Sequence, residues 1–184
     1  MDFSENDLYK TIDFPSEEVL LKEKNSKFFG YAIPVTSEED VKENLERLRK
    51  EHFSARHWCY AYQIGTEKIQ YRANDDGEPN NSAGMPIYGQ IQSFEVTNIL
   101  VVVVRYFGGV KLGVGGLISA YKTAAQMALE NATIIEKTID KHFIISFGYA
   151  HMNKVMRIIK EKNLQIVSQK MEMDCEIEIS IRKK

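Results

Sequence analysis

Two segments of the chain hold the residues whose types and spacing could do chemistry. The first, Asp75 to Pro86 (DDGEPNNSAGMP), places Asp75, Asp76 and Glu78 within four residues. Carboxylates that close can hold a divalent cation, bind a cationic group, or divide into a general acid and base. The same residues also make turns: Asp and Asn cap their own backbone, Gly77 permits positive φ, and Pro79 and Pro86 fix φ. The second segment, Arg105 to Tyr121 (RYFGGVKLGVGGLISAY), has glycines at 108, 109, 113, 115 and 116. Arg105, Lys111 and the adjoining Lys122 supply positive charge, and no Asp or Glu occurs between Glu95 and Glu130. A glycine-rich junction between strand and helix frees backbone N–H groups for an anion, and the helix dipole adds to that. Glycines also let a tight turn pack closely, and at this point both readings stand.

The elements that must position these segments follow from periodicity. Asn98 to Val104 (NILVVVV) is the continuous apolar run of a strand buried on both faces, expected over 97–106. A helix is expected over 115–130, and a shorter one from Pro86 to Phe94. Ser26 to Ile33 reads as a strand ended by Pro34. Ser37 with Asp40 resembles a capping box, opening an amphipathic helix to His52 with Val41, Leu45 and Leu48 on one face. His57 to Ile64 (HWCYAYQI) is strand-like, and Lys68 to Arg72 returns as its hairpin partner. From Lys137 the pattern changes to strand 141–148, helix 151–162 with Val155, Ile158 and Ile159 inward, strand 164–170, and the period-two run Cys175 to Ile181. This β-α-β-β order opens a ferredoxin-like βαββαβ module and stops before its second helix and last strand. The class is α+β, with domains expected at 1–136 and 137–184.

Bulk properties narrow the function. The 184 residues are 43% hydrophobic and 27% charged with formal net charge -2, a globular composition with no basic excess for non-specific DNA binding. The Met1 to Lys10 start is polar and acidic, so no secretory leader is expected. No apolar run approaches the ~20 residues of a membrane span, so no membrane association is expected. Cys59 and Cys175 share no CxxC spacing and read as free, buried thiols, which fits a reducing cytoplasm. There is no G-x-x-x-x-G-K-[ST] loop, no G-x-S-x-G and no H-E-x-x-H. His52 and His57 are not at metal-ligand spacing, and neither a metal nor a cofactor is expected.

Taken together, DDGEP, then AG and Pro86, then RYFGGVKLGVGGL and AY, closely resemble the IMPACT family. Ser26-Lys27-Phe28 and the Ala55/His57 pair also match, and the resemblance covers essentially the whole chain. It implies an N-terminal IMPACT domain with the fold of the second domain of a ribosomal small-subunit protein. It also implies a C-terminal ferredoxin-like domain similar to the last domain of elongation factor G, here short. The chain departs from the family pattern at Asn80, Asn81 and Ser82, and has Met85 and Ser119 where a Lys and an Arg are common. The family's eukaryotic members regulate translation by competing for an activator of the amino-acid-starvation kinase. The implied role is therefore a cytoplasmic, non-enzymatic binding protein connected with translation, with RNA or a ribosome-associated factor as partner. The expected site is His57, Asp76, Glu78, Arg105, Tyr106, Gly108, Gly109, Lys111, Gly115, Gly116 and Tyr121. Arg105 and Lys111 would meet phosphate, and Tyr106, Phe107 or Tyr121 would offer stacking faces, although Phe107 reads more readily as core. Two other classes remain open. One is an enzyme acting on a phosphorylated small molecule, or a hydrolase, through His57, Asp75, Asp76 and Glu78. The other is a protein-only interaction module.

Overall fold

The computed structural model describes residues 7–183. The elements of its first part are Leu8–Ile12 (β1), Val19–Glu23 (β2), Ser26–Pro34 (β3), Glu38–Glu51 (α1), His57–Ile64 (β4), Gln70–Asn74 (β5), Gly84–Ser93 (α2), Ile99–Tyr106 (β6), Gly113–Asn131 (α3) and Ile134–Thr138 (β7). The rest comprises Asp140–Gly148 (β8), Met152–Glu161 (α4), Gln165–Met171 (β9) and Asp174–Arg182 (β10). Tyr9–Glu136 forms one compact unit; among the described residues, 137–183 with Asp7 and Leu8 form the other. Strands β1 and β7 make a two-stranded sheet.

The larger unit is built on an antiparallel five-stranded sheet of order β2-β3-β6-β4-β5. Strand β6 lies at its centre because its apolar run can bury both faces. Val101 and Val103 join Ile87, Ile91, Tyr121, Ala124 and their neighbours from α2 and α3. Leu100, Val102 and Val104 join Val41, Leu45 and Leu48 of α1 on the other side. Ser37 caps α1 by accepting from the Asp40 N–H at 3.1 Å, while the Asp40 carboxylate accepts from the Thr36 N–H at 2.9 Å. Strand β2, absent from the sequence expectation, forms with β3 a hairpin whose turn, Lys24 and Asn25, has φ of 43° and 66°. Two successive positive φ values match the right-handed twist of the strands they join.

Several boundaries differ from expectation for local reasons. Strand β6 begins at Ile99, because Asn98 adopts φ 54° and turns its Oδ1 to accept from the Gly65 N–H. Helix α2 begins at Gly84, two residues before Pro86, because the Asp75 carboxylate accepts from the Ala83 and Gly84 N–H groups at 3.1 and 2.8 Å. A remote side chain thus does the work of an N-cap.

The smaller unit has sheet order β8-β10-β9, antiparallel throughout, the arrangement of the first three strands of a ferredoxin-like module. Helix α4 covers one face, packing Val155, Met156 and Ile159 against Ile145, Phe147, Ile177 and Ile179. Ile158, expected inward, is 43% exposed, and Met156 takes the inward place. The inward stripe runs 152, 155, 156, 159, and Ile158 lies off it by about 100° of helix.

Candidate phosphate-binding cleft

Strand register brings the central group together. On β6, Arg105 stands opposite Phe28 of β3 and His57 of β4, so all three side chains leave the same face of the sheet. Glu78, from the loop after β5, and Tyr121, from α3, close over them. The Glu78 carboxylate accepts from Arg105 Nη1 at 2.6 Å and from the Tyr121 hydroxyl at 3.1 Å. His57 Nε2 lies 3.2 Å from the same oxygen. His57 Nδ1 is 2.7 Å from the Asp76 main-chain oxygen, an acceptor, so Nδ1 is the nitrogen that must carry a proton there. Arg105, Glu78 and Tyr121 are all buried. Arg105 Nη2 donates to Ser26 Oγ at 3.4 Å, and the guanidinium lies 5.5 and 5.6 Å from the ring centroids of Phe28 and Phe107. Its Nε finds no partner among the described residues.

The three acids of the 75–86 loop point three ways. Asp75 accepts from the N–H groups of Asn81, Ala83 and Gly84 and so ties the loop to α2. Asp76, at φ 41°, accepts from the Trp58 N–H at 2.8 Å and lies 3.7 Å from Arg49. Glu78 takes the pair with Arg105. Among the described residues no three metal-ligating side chains converge. Cys59, on the same strand as His57, donates to the Asp75 carbonyl, and burial pushes its thiol above the ordinary range, so it stays the neutral thiol. Burial likewise raises the Tyr121 hydroxyl, which remains a donor.

Around this buried group opens a cleft of about 560 Å³, bordered by Arg56, Pro79, Phe107, Lys111 and the first turn of α3 from Gly113. Arg56 and Lys111 are exposed. The residue before α3, Leu112, offers its N–H groups no side-chain acceptor, and the first turn holds no acid. The carboxylate bordering the cleft, Glu78, is compensated by Arg105, which leaves the rim cationic.

Each expected site residue can now be placed. His57, Glu78, Arg105 and Tyr121 meet directly, Lys111 stands on the rim, and Asp76 joins through its main-chain oxygen. Tyr106 points to the opposite face of the sheet, where its hydroxyl meets His52 at 2.7 Å, because neighbouring strand residues alternate faces. Tyr121 is fully buried, its ring edge-on to Phe28, and offers no face to a ligand. Phe107, expected in the core, is 41% exposed and is the ring that borders the cleft. Arg105 lines the cleft but is buried and paired with Glu78. Gly108 serves a close approach: a Cβ there would lie 2.0 Å from the Asn25 carbonyl carbon. Gly109 has φ 88° in open space, Gly115 is exposed in the first turn of α3, and Gly116 sits against Leu112. Sequence reasoning missed Ser26 and Arg56. Arg56 was legible only from strand pairing, its N–H donating to the Arg105 carbonyl at 2.9 Å.

An α+β protein with a helix-flanked antiparallel sheet, a compensated buried ion pair and a cationic glycine-rich cleft is the class so defined. Residues 24–129 match the model of the Impact N-terminal domain. The chain is 33% identical over 153 residues to the IMPACT family member YvyE of Bacillus subtilis (strain 168), covering 83% of this chain and 70% of that protein. It is 33% identical over 147 residues to the IMPACT family member YigZ of Escherichia coli (strain K12), covering 79% and 72%. A crystal structure described as that of an hypothetical protein superposes with a TM-score of 0.81 at 28% identity, over 95% of this chain and 85% of that one. The chain belongs to the IMPACT family.

Proposed function

We propose that this protein is a non-enzymatic, cytoplasmic binding protein of translation regulation that takes RNA phosphate in the cleft between the 75–86 loop and the 105–116 junction. The observation that carries the reading is charge compensation: Glu78 is neutralised by Arg105, so exposed Arg56 and Lys111 act on a ligand without an opposing acid. The first turn of α3 adds N–H donors, which favour an anion. Exposed Phe107, with Arg56 5.7 Å from its ring centroid, supplies a stacking platform of the kind single strands use. Family membership supports a role in translation through what the IMPACT resemblance implies; the RNA contact is argued from the cleft alone. Among the described residues no helix is long and apolar enough to cross a membrane.

A second reading, a protein partner at the same mouth, draws on exposed Val110, Val114 and Ile118 beside Phe107. Titration of a labelled single-stranded oligoribonucleotide separates the two. Arg56→Gln with Lys111→Gln is expected to weaken binding and leave a residual affinity that hardly depends on salt, with the thermal melt in place. No RNA binding by the wild type at low salt would leave the protein-partner reading in its stead.

A further inference from the structure

The backbone entering α3 has a conformation that packing does not call for. Leu112 is right-handed helical, with φ -82° and ψ -25°, and Gly113 follows at φ 76°. A Cβ at Gly113 would meet nothing within 4 Å, so it is the positive φ, not a close neighbour, that asks for glycine. A right-handed residue followed by a left-handed one gathers successive N–H groups into a concavity that binds anions. Here those groups belong to Leu112, Gly113 and Val114, and all three residues line the cleft. Among the described residues no backbone or side-chain acceptor takes them.

A second, independent donor stands in the wall of the same cleft. Arg105 is 5% exposed and lines it, and its Nε–H has no partner among the described residues. A buried N–H left unmade keeps its full desolvation penalty, so an acceptor belongs on this wall. The Glu78 carboxylate does not fill that place, being engaged by Arg105 Nη1 and the Tyr121 hydroxyl. Arg56 and Lys111 make no ion pair among the described residues, which leaves two positive charges open to a ligand.

These donors fit one kind of phosphate. A phosphodiester within a strand carries a single charge and two free oxygens, whereas a terminal phosphomonoester carries about 1.5 to 2 charges at pH 7 and three free oxygens. Two uncompensated cations and three converging N–H groups match the monoester in charge and in oxygen number. We infer that the cleft is an end-binding site, which takes the terminal phosphomonoester of an RNA strand in the 112–114 concavity. This rests on the RNA reading of the cleft and adds which phosphate is bound. The cleft volume of about 560 Å³ lies in the range of sites that enclose one small ligand, room for a single end nucleotide with its base on exposed Phe107.

Isothermal titration of the full chain at low salt, with unlabelled single strands of one sequence, tests this. One strand ends in a 5′-phosphate, one in a 3′-phosphate, one has hydroxyls at both ends, and one is circular. A phosphate-ended strand should bind about tenfold or more tighter than the hydroxyl-ended and circular ones, as hydrogen bonds to a charged group imply. The tighter of the two phosphate-ended strands identifies which end is taken. Val114→Asp sets a carboxylate beside the concavity at a position 52% exposed, where an acid suits a helix N-terminus, so the thermal melt should hold. In that variant the advantage of the phosphate end should fall to within about twofold. Equal affinity for all the strands overturns the inference and leaves RNA binding in place. No binding by any strand removes the RNA reading, and the inference with it. A phosphate-end advantage that survives Val114→Asp also overturns it, since the phosphate would then sit elsewhere.

Discussion

Replacing Arg105 by Met keeps most of the length of the side chain and removes the guanidinium that holds Glu78. The carboxylate is then left buried with the Tyr121 hydroxyl and His57 as its remaining partners among the described residues. Removing one member of a buried pair costs about 3–5 kcal/mol, since the other keeps its desolvation penalty. Lost cation–π contact with Phe28 and Phe107 adds about 0.5–1 kcal/mol each. The Tyr121 donor offsets part of this, so the expected loss is about 4 kcal/mol. Glu78→Gln keeps an acceptor for Arg105 and should cost less, about 2 kcal/mol. The double replacement Arg105→Met with Glu78→Gln removes both charges and should recover at least about 2 kcal/mol of the summed single losses. Urea unfolding followed by Trp58 emission is the assay, because the sole tryptophan lies in the Tyr9–Glu136 unit and reports that unit's transition. A loss below about 1 kcal/mol for Arg105→Met, or strictly additive losses in the double variant, would refute a buried, mutually dependent pair.

Three further outcomes are expected. Asp75→Ala removes the acceptor for three N–H groups and should cost about 2 kcal/mol in the same unfolding assay, whereas a mere surface acid would cost under about 0.5. Gly108→Ala should cost at least about 2 kcal/mol because Asn25 backbone must move, while Gly115→Ala, helical and in open space, should stabilise by about 0.5–1 kcal/mol; thermal melts of the two decide it. Burial, together with the hydrogen bond donated to Glu38, raises Tyr62 from 10.0 to about 12. The fold therefore favours the neutral phenol, and this stabilisation is complete below about pH 10 and lost as pH rises through about 12. The stability advantage of wild type over Tyr62→Phe should shrink across that window, and a constant difference would contradict it.

Much of the fold was legible because it rests on local periodicity. The valine run could only be a strand buried on both faces, and the alternation of Cys175 to Ile181 could only face one way. The β1 and β2 strands and β7 escaped because each is five residues long and half exposed, so its pattern is weak without knowledge of its partner. At the site, the residue types were visible and their directions were not. Asp75, Asp76 and Glu78 are near neighbours in sequence, and φ values of 41° at Asp76 and 86° at Gly77 send them apart. Whether Arg105 faced water or Glu78 depended on a loop 27 residues away in the chain. Phe107 and Tyr106 exchanged their expected roles because alternation along β6 turns Tyr106 to the face opposite Arg105, while Phe107, just past the strand's end, borders the cleft on the Arg105 side.

The central claim is that Arg56 and Lys111 at the cleft rim bind RNA phosphate, and the salt dependence of oligoribonucleotide affinity tests it most directly. Single-stranded nucleic acid gives a log–log slope of about -0.7 per neutralised phosphate, so two contacts predict about -1.4 for wild type. Arg56→Gln with Lys111→Gln should bring that slope close to zero, while Trp58 emission reports an unfolding transition like that of the wild type. A slope unchanged by the double replacement would contradict the account.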